Sequence, residues 1–271
     1  MAQTLHPRHA NAFDASFVQR VLADILASGA RIYGITGPQG CGKSTLTAQL
    51  AGAAATAGVR LASVSIDDFY LDHDARQALA REVHPLLATR GPPGTHDVDL
   101  ACRTLDALRQ GSAILPRFDK LADRRLPRPQ WPRLEGVDLV VFEGWFLGTP
   151  AQADAELERP VNALERDEDP DGRWRRWCND ALARAYPPLW GRIDRLLYLQ
   201  PPGFEVVPGW RWEQEQALRN ANPGRRGMDR AAVERFVCHF ERVSRQAMRE
   251  LPSIADLVVP LDGRRRPLTP R

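Results

Sequence analysis

An α/β fold is what this 271-residue sequence predicts: a parallel β-sheet of about five strands flanked by helices on both faces. Three observations point there. Short apolar runs of strand length alternate with longer stretches of helical periodicity. The first strand passes into its helix through a glycine-rich turn, and the continuous apolar run VDLVVF (137–142) has the composition of a strand buried on both faces. The length suits one domain spanning 1–271 with a core large enough to need no staples.

The elements follow in order. DASFVQRVLADILASG (14–29) places Phe17, Val21, Leu22, Ile25 and Leu26 at helical spacing, with Asp14 as N-cap and Gly29 as stop. RIYGITG reads as a buried strand, STLTAQLAGAAATAG as the helix after it, and LASVSI (61–66) as a second strand ending at Asp67 and Asp68. That strand, helix, strand order is a βαβ unit and predicts a parallel sheet with helices on both faces. DVDLACRTLDALRQG is a helix capped by Asp97, AILPRF a strand, and LADRRLPRPQWPRLEG a loop rich in proline and arginine. VDLVVF ends at Glu143. Residues 148–172 are acidic and irregular and read as a surface excursion; WRRWCNDALARAY is a helix and DRLLYLQ (194–200) a strand. FEVVPGWRWEQEQALRNA is helical after Pro208, which with Gly209 interrupts it, and its arginines and exposed tryptophans suggest a lid over 203–226. Asp229 caps a long helix with Val233, Phe236, Val237, Phe240 and Val243 on one face, and ADLVVPL (255–261) is the last strand.

Composition excludes several classes. The net charge of +3 is spread along the chain, which argues against a nucleic-acid partner. No apolar run approaches the roughly 20 residues that span a bilayer, and the N-terminal residues lack the apolar stretch of a signal peptide, so a cytoplasmic location is expected. Cys41, Cys102, Cys178 and Cys238 form no CxxC pair, as reduced thiols would. Of 37 basic residues only Lys43 and Lys120 are lysine. In a chain so biased towards arginine, those two positions are the ones to examine.

GPQGCGKST (37–45) fits the P-loop pattern G-x-x-x-x-G-K-S/T between a strand and a helix, the context that motif requires. Gly37, Pro38, Gln39, Gly40, Cys41, Gly42, Lys43, Ser44 and Thr45 are thus the nucleotide-binding residues, and the fold becomes that of a P-loop NTPase. Backbone amides and the helix N-terminus meet phosphate, Lys43 reaches the terminal phosphates, and Ser44 offers a hydroxyl to Mg²⁺. The Asn/Thr-Lys-x-Asp motif of a GTPase is missing, because Lys43 is used and Lys120 lies in Asp-Lys-Leu-Ala.

In SIDDFYL (65–71) two carboxylates stand at the carboxyl end of the second strand, where open α/β sheets bind ligands. A kinase acting on an alcohol needs such a group to orient the hydroxyl and take its proton. Asp67 is the choice for that base, with Asp68 read as a cap or a turn residue. Glu143, at the end of VDLVVFEGW, suits the acid that supports Mg²⁺. A P-loop ATPase with no small-molecule acceptor remains the alternative class.

GPQGCGKST, SIDDFYL, RGPPGTHD, FDK and FEGW, in this order, resemble the P-loop D-glycerate 3-kinase family, which is similar to the uridine kinase, phosphoribulokinase and pantothenate kinase group. VNALE, GRWRRWCNDAL, WEQEQALR and GMDRAAVERFV extend the resemblance from about residue 31 to about 250. It implies transfer of the ATP γ-phosphoryl to a hydroxyl of D-glycerate, with Mg²⁺, giving 3-phosphoglycerate; the runner-up acceptor is a nucleoside, pantothenate or a sugar phosphate. Catalysis would fall to Lys43 and Asp67, and the acceptor site to Asp67, Tyr70, Arg90, His96, Asp97, Lys120 and Arg125. Glycerate carries a carboxylate, so cations should face it, with Arg90 and Lys120 first among Arg90, His96, Lys120, Arg124 and Arg125. Arg211 and Arg219 are the arginines that a closing lid would bring to the phosphates.

Overall fold

The structure, a computed structural model, describes residues 12–221 and 227–268. In chain order the elements are α1 (Ala15–Ser28), β1 (Ile32–Thr36), α2 (Lys43–Thr56), β2 (Leu61–Ser65), α3 (His73–Glu82), α4 (Val98–Arg109), β3 (Ser112–Ile114), β4 (Phe118–Asp119), β5 (Arg124–Arg125) and β6 (Arg133–Glu135). There follow β7 (Leu139–Gly144), α5 (Ala163–Glu168), α6 (Arg173–Arg184), α7 (Pro187–Trp190), β8 (Arg195–Gln200), α8 (Val207–Ala221), α9 (Arg230–Ile254) and β9 (Leu257–Pro260). Five strands form one sheet in the order β2-β7-β1-β8-β9, every pair parallel. Neighbouring strand residues feed opposite faces. Ile32 and Val140 pack with α4 and α9 on one side, while Tyr33 and Val141 pack with α1 and α2 on the other.

From β1 the chain crosses to β2 on one side of the sheet and later returns to β8 on the other. The crevice at such a reversal, outside the carboxyl ends of the strands, is where open sheets bind ligands. Register sharpens the point: Glu143 of β7 lies level with Ile35 of β1 and with Ser65 of β2. Three candidate segments therefore leave the sheet side by side.

Several local expectations hold and several are corrected. Asp14, Asp97 and Asp229 cap their helices, accepting from Ser16, Leu100 and Ala232 amides. Leu26 leaves the buried stripe of α1, 47% exposed, because Val18 completes the stripe with Phe17, Val21, Leu22 and Ile25. AILPRF is not one strand: Pro116 has no amide to donate, and the segment divides between β3, paired with β6, and β4, paired with β5, in two antiparallel ribbons outside the main sheet. Pro208 does not interrupt α8, which starts at Val207; in a first turn the missing amide costs no intrahelical bond. Its tryptophans are not exposed either, since Trp210 is 2% accessible and Trp212 is half-buried. Residues 222–226 of the expected lid lie outside the described residues.

In the stretch 148–172 six of the eight acidic residues are exposed and two are not. Its acidity reads as solvation, yet Glu165 and Asp169 are fully buried. Glu165 accepts a two-pronged pair from Arg242 of α9, at 2.8 and 2.6 Å, and Asp169 takes Arg175 at 3.0 Å together with the Trp174 amide. Buried carboxylates survive only with such partners, and these lie 77 and 6 residues away.

Candidate active site

The loop between β1 and α2 is shaped for phosphate. Gly40 has φ +75°, and a Cβ there would lie 2.8–2.9 Å from Trp210, two of those contacts being backbone. Only glycine fits that approach. Gly42, the N-cap of α2, supplies no side-chain cap, so the first amides of the helix face outward to an anion. Lys43 is buried and its ammonium donates to the Gly37 and Pro38 carbonyls at 2.8 and 3.0 Å, which folds it back over the loop it serves. Cys41 is fully buried, and burial raises its thiol pKa, so it contributes packing and not a nucleophile.

The Ser44 hydroxyl donates to Glu143 Oε1 at 2.9 Å. Burial, and then the Asp67 carboxylate, push the Glu143 carboxyl upward against the pull of Lys43. A hydroxyl oxygen and a carboxylate oxygen this close are a hard-ligand pair that fits Mg²⁺, and a divalent ion would relieve the cost of a charged Glu143.

Asp67 lies in the one-turn 3₁₀ segment Ile66–Phe69 that directly follows β2. Burial would raise its carboxyl pKa, but the Lys120 ammonium at 2.5 Å and a hydrogen bond from Tyr70 outweigh burial and hold it down at about 2. It is a permanent carboxylate. Lys120 arrives on the β4–β5 hairpin, 53 residues further on. Asp68 turns the other way to Arg117 at 2.6 Å. The two neighbouring carboxylates thus take different partners, and Asp67 is the one that bears on the Glu143 carboxyl.

RGPPGTHD is built as a tight turn. Thr95 is fully buried, its hydroxyl donating to the Pro92 carbonyl and accepting from the Gly91 amide. The turn then pairs with the segment after Asp67, through Leu71 N to Thr95 O and Asp97 N to Phe69 O, which makes an antiparallel bridge of Tyr70 and His96. The two rings stand 5.0 Å apart. Asp97 is both helix cap and partner of Arg125, which also donates to the Tyr70 carbonyl. Arg90 pairs with Asp123 and lies over Phe118. Arg124 is exposed, 3.9 Å from Asp74.

Sequence reading missed Asp123. It adopts φ +54°, rare for a non-glycine residue, and gathers Arg76, Arg90 and His73 around its carboxylate. Arg76 is 1% exposed and also holds the Leu71 and Ala88 carbonyls. This knot pins the hairpin that carries Lys120 and Arg125. The other omission is Tyr186, fully buried with its hydroxyl 2.7 Å from His96 Nδ1. The two expected lid arginines part company: Arg211 pairs with buried Glu215 at 3.0 Å and lies over Phe236, whereas Arg219 is exposed beside Gly227.

A phosphate loop, a hydroxyl and carboxylate pair, and an ionised aspartate beside a lysine define a P-loop phosphotransferase. The chain belongs to the Phosphoribulokinase / Uridine kinase family, which it matches over residues 32–152, a span that contains all three features. It is 33% identical over 227 residues to an uncharacterized kinase of Schizosaccharomyces pombe, covering 77% of this chain and 78% of that one. It is 30% identical over 226 residues to the chloroplastic D-glycerate 3-kinase of Arabidopsis thaliana, covering 77% of this chain and 46% of the plant protein. The solved D-glycerate 3-kinase of Cryptococcus neoformans superposes with a TM-score of 0.78 at 26% identity, covering 94% of this chain and 99% of that one. Among the described residues no helix is long and apolar enough to cross a membrane.

Proposed function

We propose that this protein transfers the γ-phosphoryl of ATP to the 3-hydroxyl of D-glycerate. The observation that carries the reading is the Asp67–Lys120 pair, seated at the end of β2 with Glu143 on the adjacent strand and Lys43 opening α2, the helix that follows β1. Relatives that bear the name D-glycerate 3-kinase supply the acceptor.

Lys43 and the loop amides hold the phosphates in line. Mg²⁺, held by Ser44 and Glu143, neutralises phosphate charge when bound. Asp67 accepts a hydrogen bond from the attacking hydroxyl and orients its lone pair towards the phosphorus. A carboxylate held at about 2 is a weak base, which suits a loose transition state in which the hydroxyl proton leaves late. Lys120 and Arg125, with Arg90 behind them, are the cations for the acid group of the acceptor. Arg211 and Arg219 remain the candidates for closing on the phosphates from α8.

A coupled ADP-release assay with Mg²⁺-ATP against D-glycerate, L-glycerate, uridine, pantothenate and ribulose 5-phosphate tests the reading. Turnover confined to D-glycerate is the expected result. Turnover only with another alcohol moves the chain to a different kinase specificity, and hydrolysis of ATP indifferent to every acceptor makes it an ATPase. In the same assay Asp67→Asn should lower kcat by about 10²–10⁴-fold with ATP binding unchanged; a near-normal kcat removes Asp67 from the base role.

A further inference from the structure

The bridge between the turn 90–97 and the segment after Asp67 leaves a polar atom with nowhere to go. His96 is 6% exposed, and its Nε2 is buried with no hydrogen-bond partner. Unsatisfied buried groups of this kind are costly, by about 1–3 kcal/mol, and ask for an explanation. The opposite nitrogen, Nδ1, is 2.7 Å from the Tyr186 hydroxyl.

The direction of that bond follows from a third group. The Gly94 amide lies 3.1 Å from the same hydroxyl oxygen, and an amide N–H can only donate. The oxygen accepts from Gly94, and among the described residues His96 Nδ1 is the acceptor in reach of its own proton, so the proton goes there. Tyr186 is fully buried and its hydroxyl stays protonated, because burial raises its pKa far above the ordinary range. Burial also holds the imidazole neutral, with its pKa lowered to about 4. A neutral imidazole that accepts at Nδ1 carries its single proton on Nε2. Gly94 is held where it can start this chain: its φ is +89°, and a Cβ would come 2.7 Å from Trp177 Nε1.

We infer that Tyr186 is a positioning residue that fixes His96 as the Nε2–H tautomer, so that His96 presents a one-way hydrogen-bond donor to an oxygen of the acceptor substrate. The inference rests on the reading of the Asp67 side as the acceptor site. His96 packs with its ring 5.0 Å from that of Tyr70, whose hydroxyl bonds the Asp67 carboxylate, and the adjacent Asp97 takes Arg125, which places the imidazole at that site and not in remote core. The donor demands an oxygen lone pair, as a carboxylate or hydroxyl offers, and penalises an acceptor whose corresponding group donates or is apolar. Because the imidazole is uncharged, it adds direction where Lys120 and Arg125 add charge.

The tautomer is read without any substrate, by long-range ¹H–¹⁵N correlation on uniformly labelled full-length protein at pH 7.5, with the His96 signals assigned by their loss in His96→Gln. The expected pattern is a protonated Nε2 and an unprotonated Nδ1 in the wild type, disturbed in Tyr186→Phe. A wild-type His96 protonated at Nδ1 overturns the inference, whatever the acceptor proves to be. Kinetics on the acceptor that the panel identifies supply the second arm. Loss of one hydrogen bond predicts that Tyr186→Phe raises the acceptor KM about tenfold while the ATP KM stays within twofold. His96→Gln, which keeps an amide donor, should retain more acceptor affinity than His96→Phe. Equal changes in both KM values, or no change in either, overturn it as well. Because the spectroscopic arm needs no acceptor, its failure is separable from failure of the glycerate assignment.

Discussion

The Asp67–Lys120 pair can be measured directly. The drop of the Asp67 carboxyl from 3.8 to about 2 corresponds to about 2.5 kcal/mol, at about 1.36 kcal/mol per pH unit. Burial acts in the opposite direction, so this is a net figure. The Lys120 side chain, however, is 56% exposed, and solvent screening brings the expected coupling to about 1–2 kcal/mol. A carboxyl whose folded pKa is depressed contributes stability that is fully present above 3.8 and lost as pH falls through about 2. Measurement at pH 7 therefore captures all of it. The assay is a double-mutant cycle by urea denaturation on the wild type, Lys120→Met, Asp67→Asn and the double variant. The coupling should shrink, without vanishing, in 0.5 M NaCl. A coupling below about 0.3 kcal/mol at low salt refutes the argument that Lys120 sets the state of Asp67. In the kinetic assay, Lys120→Met should raise the acceptor KM more than the ATP KM.

Three further outcomes follow from the same geometry. Lys43→Ala removes the ammonium that crosses the loop and should cut phosphoryl transfer by at least about 10³-fold, a loss comparable to removing a principal electrostatic stabiliser, as read in the ADP-release assay. Glu165→Gln leaves the Arg242 guanidinium buried without its counter-charge and should cost about 3–5 kcal/mol in urea denaturation, far above a surface substitution on α5. Gly40→Ala forces a Cβ into Trp210 at a positive φ, and should weaken nucleotide binding, measured by calorimetric titration, before it affects the acceptor KM.

What the sequence made legible follows a physical line. The P-loop, the strand-end carboxylates and the helix caps are contiguous patterns, in which backbone geometry and a few neighbours settle the outcome. The sheet of five strands was likewise readable from apolar runs of the right length. Asp123 and Tyr186 were not, because their roles exist only through partners 33–92 residues away. The same reason explains why Glu165 and Asp169 read as solvated. An Asp or Glu beside loop residues reads as solvated until α9 is folded against it and supplies Arg242. Tryptophans in VVPGWRWEQE looked free for the same reason: Trp212 packs with Val233 and Val237 of α9, and Trp210 meets the P-loop and the residues beyond β9.

That last contact has a consequence for how the chain becomes competent. Trp210 Nε1 donates to the Gly263 carbonyl at 2.9 Å, and Arg265 lies over the Trp210 ring while its Nε donates to the Gly40 carbonyl at 2.6 Å. The phosphate loop at 37–45 is thus clasped from outside by Trp210 and, 225 positions after Gly40, by Arg265. During synthesis the loop sequence emerges early, yet Arg265, which holds its Gly40 peptide, lies beyond β9 and is made long after it. A chain cut before Leu261 would carry the whole motif and lack this hold on it.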